Sequence, residues 1–288
     1  MKPSPFAYHE PETLEDALQL LASVADDDGR ILAGGQTLVP AMALRLARPS
    51  HLVDINRIDA LRRLEVDGDV LHIGACVRHI ALATPVEPGP LGLLLSQVVR
   101  HIAHLPIRTR GTFCGSLANA DGASEWCLVV NTLDAVLVAH STRGRREIPA
   151  SAFFLGYMTT ALEADEILTT ALLPRLPAAT RFGFDEIARR AGDFAQAMCL
   201  AVFELEDGKM RRVRIGVGGV SGTTVRAAQA EAACEGQAPD PALFDHAAQL
   251  AGAAIDPVDA SEEACDYRRA LARTVVARAL AQAAGLNR

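Results

Sequence analysis

Two glycine-bearing stretches hold the residues with the clearest chemical potential in this 288-residue chain: "AGGQT" (Ala33–Thr37) and "RGTFCGS" (Arg110–Ser116). Paired glycines such as Gly34 and Gly35 permit positive φ and let a ligand approach the main chain closely. Amides freed in this way can converge on phosphate oxygens, and Thr37 adds a hydroxyl. In the second stretch Thr112 and Ser116 supply hydroxyls beside the bare backbone of Cys114 and Gly115, with Asn119, Asp121 and Glu125 just beyond. Taken singly, each has a plainer reading. The first is a tight strand-to-helix turn and the second a surface loop with local side-chain turns. Together they are more informative. Neither contains a lysine and no G-x-x-x-x-G-K-[ST] occurs, which argues against nucleoside triphosphate hydrolysis. A cofactor with a hydroxyl-rich chain and a pyrophosphate suits neutral donors from two loops, and a flavin dinucleotide meets that description.

Two further stretches compete. "GVGGVSG" (Gly216–Gly222) lies between a strand-like segment and Ala-rich sequence, but Ser221 stands where the third glycine of G-x-G-x-x-G belongs. The preferred reading is a strand end packed against a helix. The competing one is a nicotinamide-dinucleotide turn, which would make the protein a self-sufficient dehydrogenase. "ARRAGDFA" (Ala188–Ala195) reads as a solvated hairpin that places Phe194 in the core.

These segments must be held by the elements around them. Thr13 and Asp16 form a capping-box pattern ahead of Leu18, Leu21 and Ala22, so a helix is expected over Leu14–Val24. "RILAGG" and "HLVDI" read as strands, and "LVPAMALRL" as a helix whose N-terminus favours an anion. "DVLHIGA" alternates like a strand. Helices are expected near His79–Thr84 and Leu91–Ala103. "DAVLVAHS" and "RREIP" form a hairpin, and Pro174 and Pro177 mark a boundary. Beyond it, three strands with an Asp207-Gly208 turn precede helices from Thr223 to Leu286. The expected division is residues 1–175, with parts of about 1–55 and 56–175, followed by 176–288.

The bulk numbers narrow the class. Half of the residues are hydrophobic and 22% are charged, as in a globular protein. The net charge of −7 argues against a broad nucleic-acid surface. No apolar run reaches membrane-span length and the first residues lack a signal-peptide core, so a cytoplasmic location is expected. The six cysteines are scattered with no C-x-x-C, which argues against an iron–sulfur or zinc site in this chain.

With "AGGQTLVPAMALRL", "RGTFCGSLANADGASE", "ARRAGDFA", the Phe6-Tyr8-Pro11 start and the late "GVGGVSGTTVRA" in order, the whole chain resembles the FAD-binding medium subunit of the molybdenum hydroxylases. That family includes the flavoprotein subunits of xanthine dehydrogenase-type enzymes, carbon monoxide dehydrogenase and quinoline 2-oxidoreductase. The resemblance implies an α+β fold in which a two-part FAD-binding (PCMH-type) region is followed by a C-terminal domain with a three-stranded antiparallel sheet and helices. It implies FAD held by Leu32, Ala33, Gly34, Gly35, Gln36, Thr37 and Leu38 and by Thr112, Cys114, Gly115 and Ser116. Glu125 would contact the polar chain, Leu168 would make an apolar contact, and Phe194 would lie near a flavin face. Two positions depart from the family pattern. Cys114 replaces the first glycine of a pair, and Glu186 stands where lysine is common. The implied partners are a large subunit with the molybdenum cofactor and a small subunit with two [2Fe–2S] clusters, assembled as a dimer of heterotrimers. This chain would carry electrons between those clusters and an external acceptor. The family subtype suggests an aromatic N-heterocycle as substrate, with no catalytic acid or base in this chain. A cofactor-free scaffold is the remaining alternative.

Overall fold

The computed structural model of the protein describes residues 2–257 and 261–286. The chain opens with β1 (Ala7–His9), α1 (Leu14–Val24), β2 (Gly29–Leu32), α2 (Leu38–Ala43) and β3 (His51–Asp54). The three strands form a parallel sheet in the order β1-β3-β2. Helix α1 starts where the capping pattern places it. The Thr13 hydroxyl accepts from the Asp16 amide at 3.1 Å and donates to its carboxylate at 2.6 Å, and Ala17, Leu18, Leu21 and Val24 form the buried face.

A second unit follows. It comprises β4 (Leu64–Asp67), β5 (Val70–Gly74), α3 (Pro90–Val98), α4 (Leu105–Arg108), α5 (Phe113–Asn119), α6 (Glu125–Thr132), β6 (Val136–Ser141), β7 (Gly144–Pro149), α7 (Ala150–Phe153), the small hairpin β8 (Phe154–Gly156) and β9 (Thr159–Thr160), and β10 (Ile167–Pro174). Its antiparallel sheet has the order β4-β5-β10-β6-β7. The segment His79–Leu82 is a 3-10 turn.

The third unit is an antiparallel sheet of β11 (Thr180–Ala188), β12 (Ala195–Glu206), β13 (Lys209–Gly218) and β14 (Val225–Arg226), followed by α8 (Ala228–Cys234), α9 (Pro241–Ala253) and α10 (Glu262–Ala284). The two-residue β14 adds a short edge to the three expected strands. Asp207 and Gly208 take positive φ of 52° and 74° in the β12–β13 turn, as a tight hairpin requires. Strand β12 is apolar almost throughout because both of its faces are covered. Met198, Leu200 and Val202 join Phe184 in the core of the first two units, whereas Ala197, Cys199, Ala201 and Phe203 join a second core with α9 and α10. The C-terminal sheet therefore shares a hydrophobic core with the region before it.

This topology decides the fate of "GVGGVSG". Strand β13 lies in an antiparallel sheet, so its end is not the strand-turn-helix crossover of a parallel dinucleotide fold. Gly216 is needed because α6 crosses there: a Cβ would stand 1.9 Å from Thr132 Oγ1. The strand-end reading holds, and the nicotinamide-binding alternative is withdrawn.

Candidate functional site

The first loop leaves β2 at Leu32 and enters α2 at Leu38. Gly35 has φ +70°, the left-handed region that favours glycine. Gly34 is required by a close approach. A Cβ there would lie 2.6 Å from the Arg110 carbonyl and 2.7 Å from Gly111 Cα, so the two glycine stretches pack backbone against backbone. The amides of Gly34, Gly35, Gln36, Thr37 and Leu38 find no acceptor among the described residues. Helix α2 spans only six residues, so its dipole is weak, and the capacity for an anion rests on these loop amides instead.

Side chains outside both motifs fix this arrangement. Asn56 donates through Nδ2 to the Ala33 carbonyl at 2.7 Å. Arg78 donates through Nη2 to Asn56 Oδ1 at 2.6 Å and through Nη1 to the Arg110 carbonyl. Arg62 donates to the Asn56 carbonyl. Arg62 and Arg110 both lie close enough to oppose the charge on Arg78. Three guanidinium groups thus cluster beside a loop of free amides in a chain whose net charge is −7. Asn56, Arg62 and Arg78 carry no local signal in the sequence, and Arg110, although it opens the second stretch, joins them only through folding.

The second stretch is not the open turn expected from its composition. Thr112 is an N-cap whose hydroxyl accepts from the Gly115 amide at 3.0 Å, and residues from Phe113 onward form α5. Phe113 and Leu117, four residues apart, bury the inner face of that helix. Gly115 is bare because a Cβ would meet Thr112 Oγ1 at 2.6 Å. Cys114 turns its side chain into the core, where Sγ lies 3.4 Å from the Ile73 carbonyl and burial pushes its thiol up. Its sulfur therefore does not occupy the loop surface, while its amide finds no acceptor among the described residues. Ser116 is partly buried.

Behind α5, His79 holds the loop from within. Its amide donates to the Gly111 carbonyl at 3.0 Å, and its Nδ1 lies 2.9 Å from Trp126 Nε1. The indole can only donate, so Nδ1 is the acceptor. Burial, with Arg78 and Arg108 nearby, pushes the His79 pKa down to about 4.

Glu125 and Glu186 are buried carboxyls at the seam between the units, and Glu125 lies close enough to repel charge on Glu186. Glu125 opens α6 and is 6% exposed, with its pKa pushed up to about 7 by burial. The Glu186 side chain is 5% exposed on β11, and its Oε2 has no hydrogen-bond partner. Burial, then repulsion from Glu125 and Asp185, pushes its pKa up to about 8. His101 Nδ1 is 3.7 Å from Oε2, but burial lowers the His101 pKa, so this contact is not an ion pair at neutral pH.

The remaining expected residues lie on β10 and in the turn between β11 and β12. Leu168 is buried in the first core, paired with Ala139 across β10 and β6. Phe194 is 66% exposed in the turn between β11 and β12, not in the core where the hairpin reading placed it. The turn folds over His104, whose ring lies 2.6 Å from where a Gly192 Cβ would be, and this leaves Phe194 outside the packed layer. Among the described residues no group of three or more metal-ligating side chains forms, and no helix is long and apolar enough to cross a membrane.

The fit to a dinucleotide can be judged from these residues. Free loop amides, a guanidinium cluster and uncovered glycines match a diphosphate. The two buried carboxyls match neutral, hydroxyl-bearing or ring atoms only when they are themselves uncharged.

Comparison with known proteins agrees. The family described as the FAD binding domain in molybdopterin dehydrogenase matches residues 4–176, and the CO dehydrogenase flavoprotein C-terminal domain matches residues 182–283. The nicotine 6-hydroxylase medium subunit of Paenarthrobacter nicotinovorans is 36% identical over 98% of this chain and 99% of its own. Carbon monoxide dehydrogenase from Hydrogenophaga pseudoflava superposes with a TM-score of 0.93 at 34% identity, covering 100% of both chains. Quinoline 2-oxidoreductase from Pseudomonas putida 86 superposes with a TM-score of 0.92 at 35% identity over 99% of both. Matched by family over residues 4–176 and 182–283 and by structure over its whole length, the chain belongs to the FAD-binding medium subunits of the molybdenum hydroxylases.

Proposed function

We propose that this chain holds FAD between the iron–sulfur subunit of a molybdenum hydroxylase and an external electron acceptor. The observation that carries the reading is the run of unpaired amides from Gly34 to Leu38 beside Arg62, Arg78 and Arg110. When bound, FAD supplies both one-electron and two-electron redox chemistry. The chain's own residues bind and orient. The loop amides, with those of Thr112 and Cys114, take the diphosphate, while Asn56 and Arg78 hold the two loops in register. Gln36, Thr37, Gly115, Ser116 and Glu125 line the path of the polar chain. Leu32, Ala33 and Leu168 back the site with apolar surface, and the exposed Phe194 ring is available to cover a flavin face. Glu186 faces the same seam.

The assembly follows from the same reading. A large subunit with the molybdenum cofactor and a small subunit with two [2Fe–2S] clusters complete a heterotrimer, and two of these pair. Relatives act on nicotine and caffeine by name, which supports an aromatic N-heterocycle as the substrate of the complex. The proposed domain limits are 1–175, with parts of about 1–55 and 56–175, and 176–288, each part holding one of the three larger sheets. Five cysteines, Cys76, Cys114, Cys127, Cys199 and Cys234, are buried and act as small hydrophobes of the core.

The test is purification from the native host. Flavin absorption, FAD released on denaturation, and co-purifying molybdopterin and iron–sulfur subunits are the expected result. A flavin-free chain that travels alone would overturn the assignment.

A further inference from the structure

The seam between the FAD-binding domain and the C-terminal sheet contains an arrangement that binding by loop amides does not explain. Along β11, Phe184 and Phe182 pack into the first core, so Glu186 shares their face, while Asp185 points the other way and approaches Arg278 of α10. Glu186 pairs across the sheet with Met198, and Met198 pairs on its other side with Gly218. At that point the loop ahead of α6 arrives: the Gly122 carbonyl accepts from the Gly219 amide at 2.8 Å. This close approach brings Glu125, three residues later, toward Glu186. The other side is closed by His101, whose ring stands edge-on to Phe184 with centroids 4.8 Å apart.

The groups facing this carboxyl are therefore Glu125 from α6 and His101 from the turn after α3, with Asp185 behind it on its own strand and Asp121 acting on Glu125. Arginine is absent from that set; Arg278 serves Asp185 on the opposite face. A carboxyl oxygen buried to this degree with no partner costs free energy unless it is protonated or reserved for a ligand group. Two carboxylates with no cation between them cannot both be ionised cheaply, and FAD is itself an anion.

We propose that Glu125 and Glu186 form a carboxyl pair that accepts FAD only with a proton on Glu186, so that cofactor loading takes up a proton and weakens in alkaline medium. The inference rests on the FAD assignment made above. The sign follows from linkage. Where the free chain has lost the proton and the complex must regain it, the association constant falls by about tenfold per pH unit for one proton taken up. Below that range the free chain already carries the proton and affinity is flat. The pair begins to lose protons near pH 7 to 8, so the decline sets in there. The neutral carboxyl can donate to an acceptor atom of the cofactor, a role an ionised one could not fill.

The experiment is FAD titration into the deflavinated full-length chain, followed by flavin fluorescence between pH 6 and 9.5. Calorimetry of the same binding at pH 8.5 is run in phosphate and in Tris. Wild type should show a flat region and then a decline approaching tenfold per pH unit. Its binding heat should differ between buffers by the ionisation heat of about one proton. Glu186→Gln keeps the shape and removes the titration. It should bind FAD at pH 7 within about threefold of wild type and lose most of the pH dependence. Glu125→Gln should move the decline to lower pH, because without the repulsion Glu186 loses its proton more readily in the free chain. Wild-type FAD affinity that is flat across this range, heats equal in both buffers, or a Glu186→Gln profile parallel to wild type would each overturn the carboxyl-pair inference while leaving FAD binding intact. A wild-type chain that takes up no FAD at any pH would instead remove the FAD assignment, and this inference with it.

Discussion

Gly34 and Cys114 show how single positions in the two loops carry different constraints. Gly34 has no room for a side chain because the Arg110 carbonyl and Gly111 Cα occupy the space a Cβ would take. Both obstacles are backbone, so neither can rotate away. Gly34→Ala should cost about 1–3 kcal/mol through forced separation of the loops. It should also lower the FAD-to-protein ratio, as read by absorbance after purification. A variant with full flavin and unchanged thermal midpoint would show that the loop contact is dispensable. Cys114 has the opposite character. A family position expected to be bare carries a side chain because that side chain is directed at the Ile73 carbonyl on β5. The substitution is absorbed by the core and leaves the loop surface as open as glycine would.

At the scale of elements, His79 and Trp126 link the 3-10 turn to α6 and fix the loop between α4 and α5. His79 is neutral in the folded chain. Its pKa is lowered from an ordinary 6.5 to about 4, so acidification first protonates the unfolded state. The stability tied to this histidine is complete above pH 6.5 and is lost as pH falls from there toward 4. The full shift corresponds to about 3 kcal/mol. Glu125 and Glu186, with raised values, act in the opposite sense and weaken the fold as pH rises from the ordinary carboxyl range toward 7 and 8. Comparison with His79→Gln separates the two, since glutamine can still accept from the indole. Urea unfolding at pH 7 and pH 5 should show wild type losing more stability on acidification than the variant. Equal losses would mean that His79 titrates freely.

For the whole molecule, the relevant feature is the core that runs from the first sheets into one face of the third. Phe184, Met198, Leu200 and Val202 belong to it although they lie on β11 and β12. The junction is reinforced where the Gly219 amide meets the Gly122 carbonyl and where Asn131 Nδ2 lies 3.1 Å from both oxygens of Thr224. A Cβ on Gly122 would sit 2.8 Å from the Ser221 carbonyl oxygen and 3.0 Å from that of Gly222. Gly122→Ala should therefore destabilise the entire chain by about 1–3 kcal/mol and shift one cooperative transition in scanning calorimetry. Two separated transitions, only one of them moved, would show that the shared core does not couple the domains.

What the sequence determined by itself are features whose signals lie within a few residues. Helix α1 is legible from Thr13, Asp16 and the spacing of Leu18 and Leu21. The β12–β13 hairpin is legible from Asp207-Gly208, and the first glycine stretch marks itself as a turn through Gly35, whose φ is +70°. Each depends on hydrogen bonds or φ values set between near neighbours, so local composition suffices. The tertiary structure alone decided that "RGTFCGS" is a capped helix start, because the burial of Phe113 and Leu117 outweighs the loop-like composition. It alone brought Asn56, Arg78 and Arg110 to one point across 54 residues of chain, and it alone set Glu125 against Glu186. Those juxtapositions arise from sheets and helices docking over long separations, and a buried charge takes its properties from what surrounds it in space rather than from its neighbours in the chain.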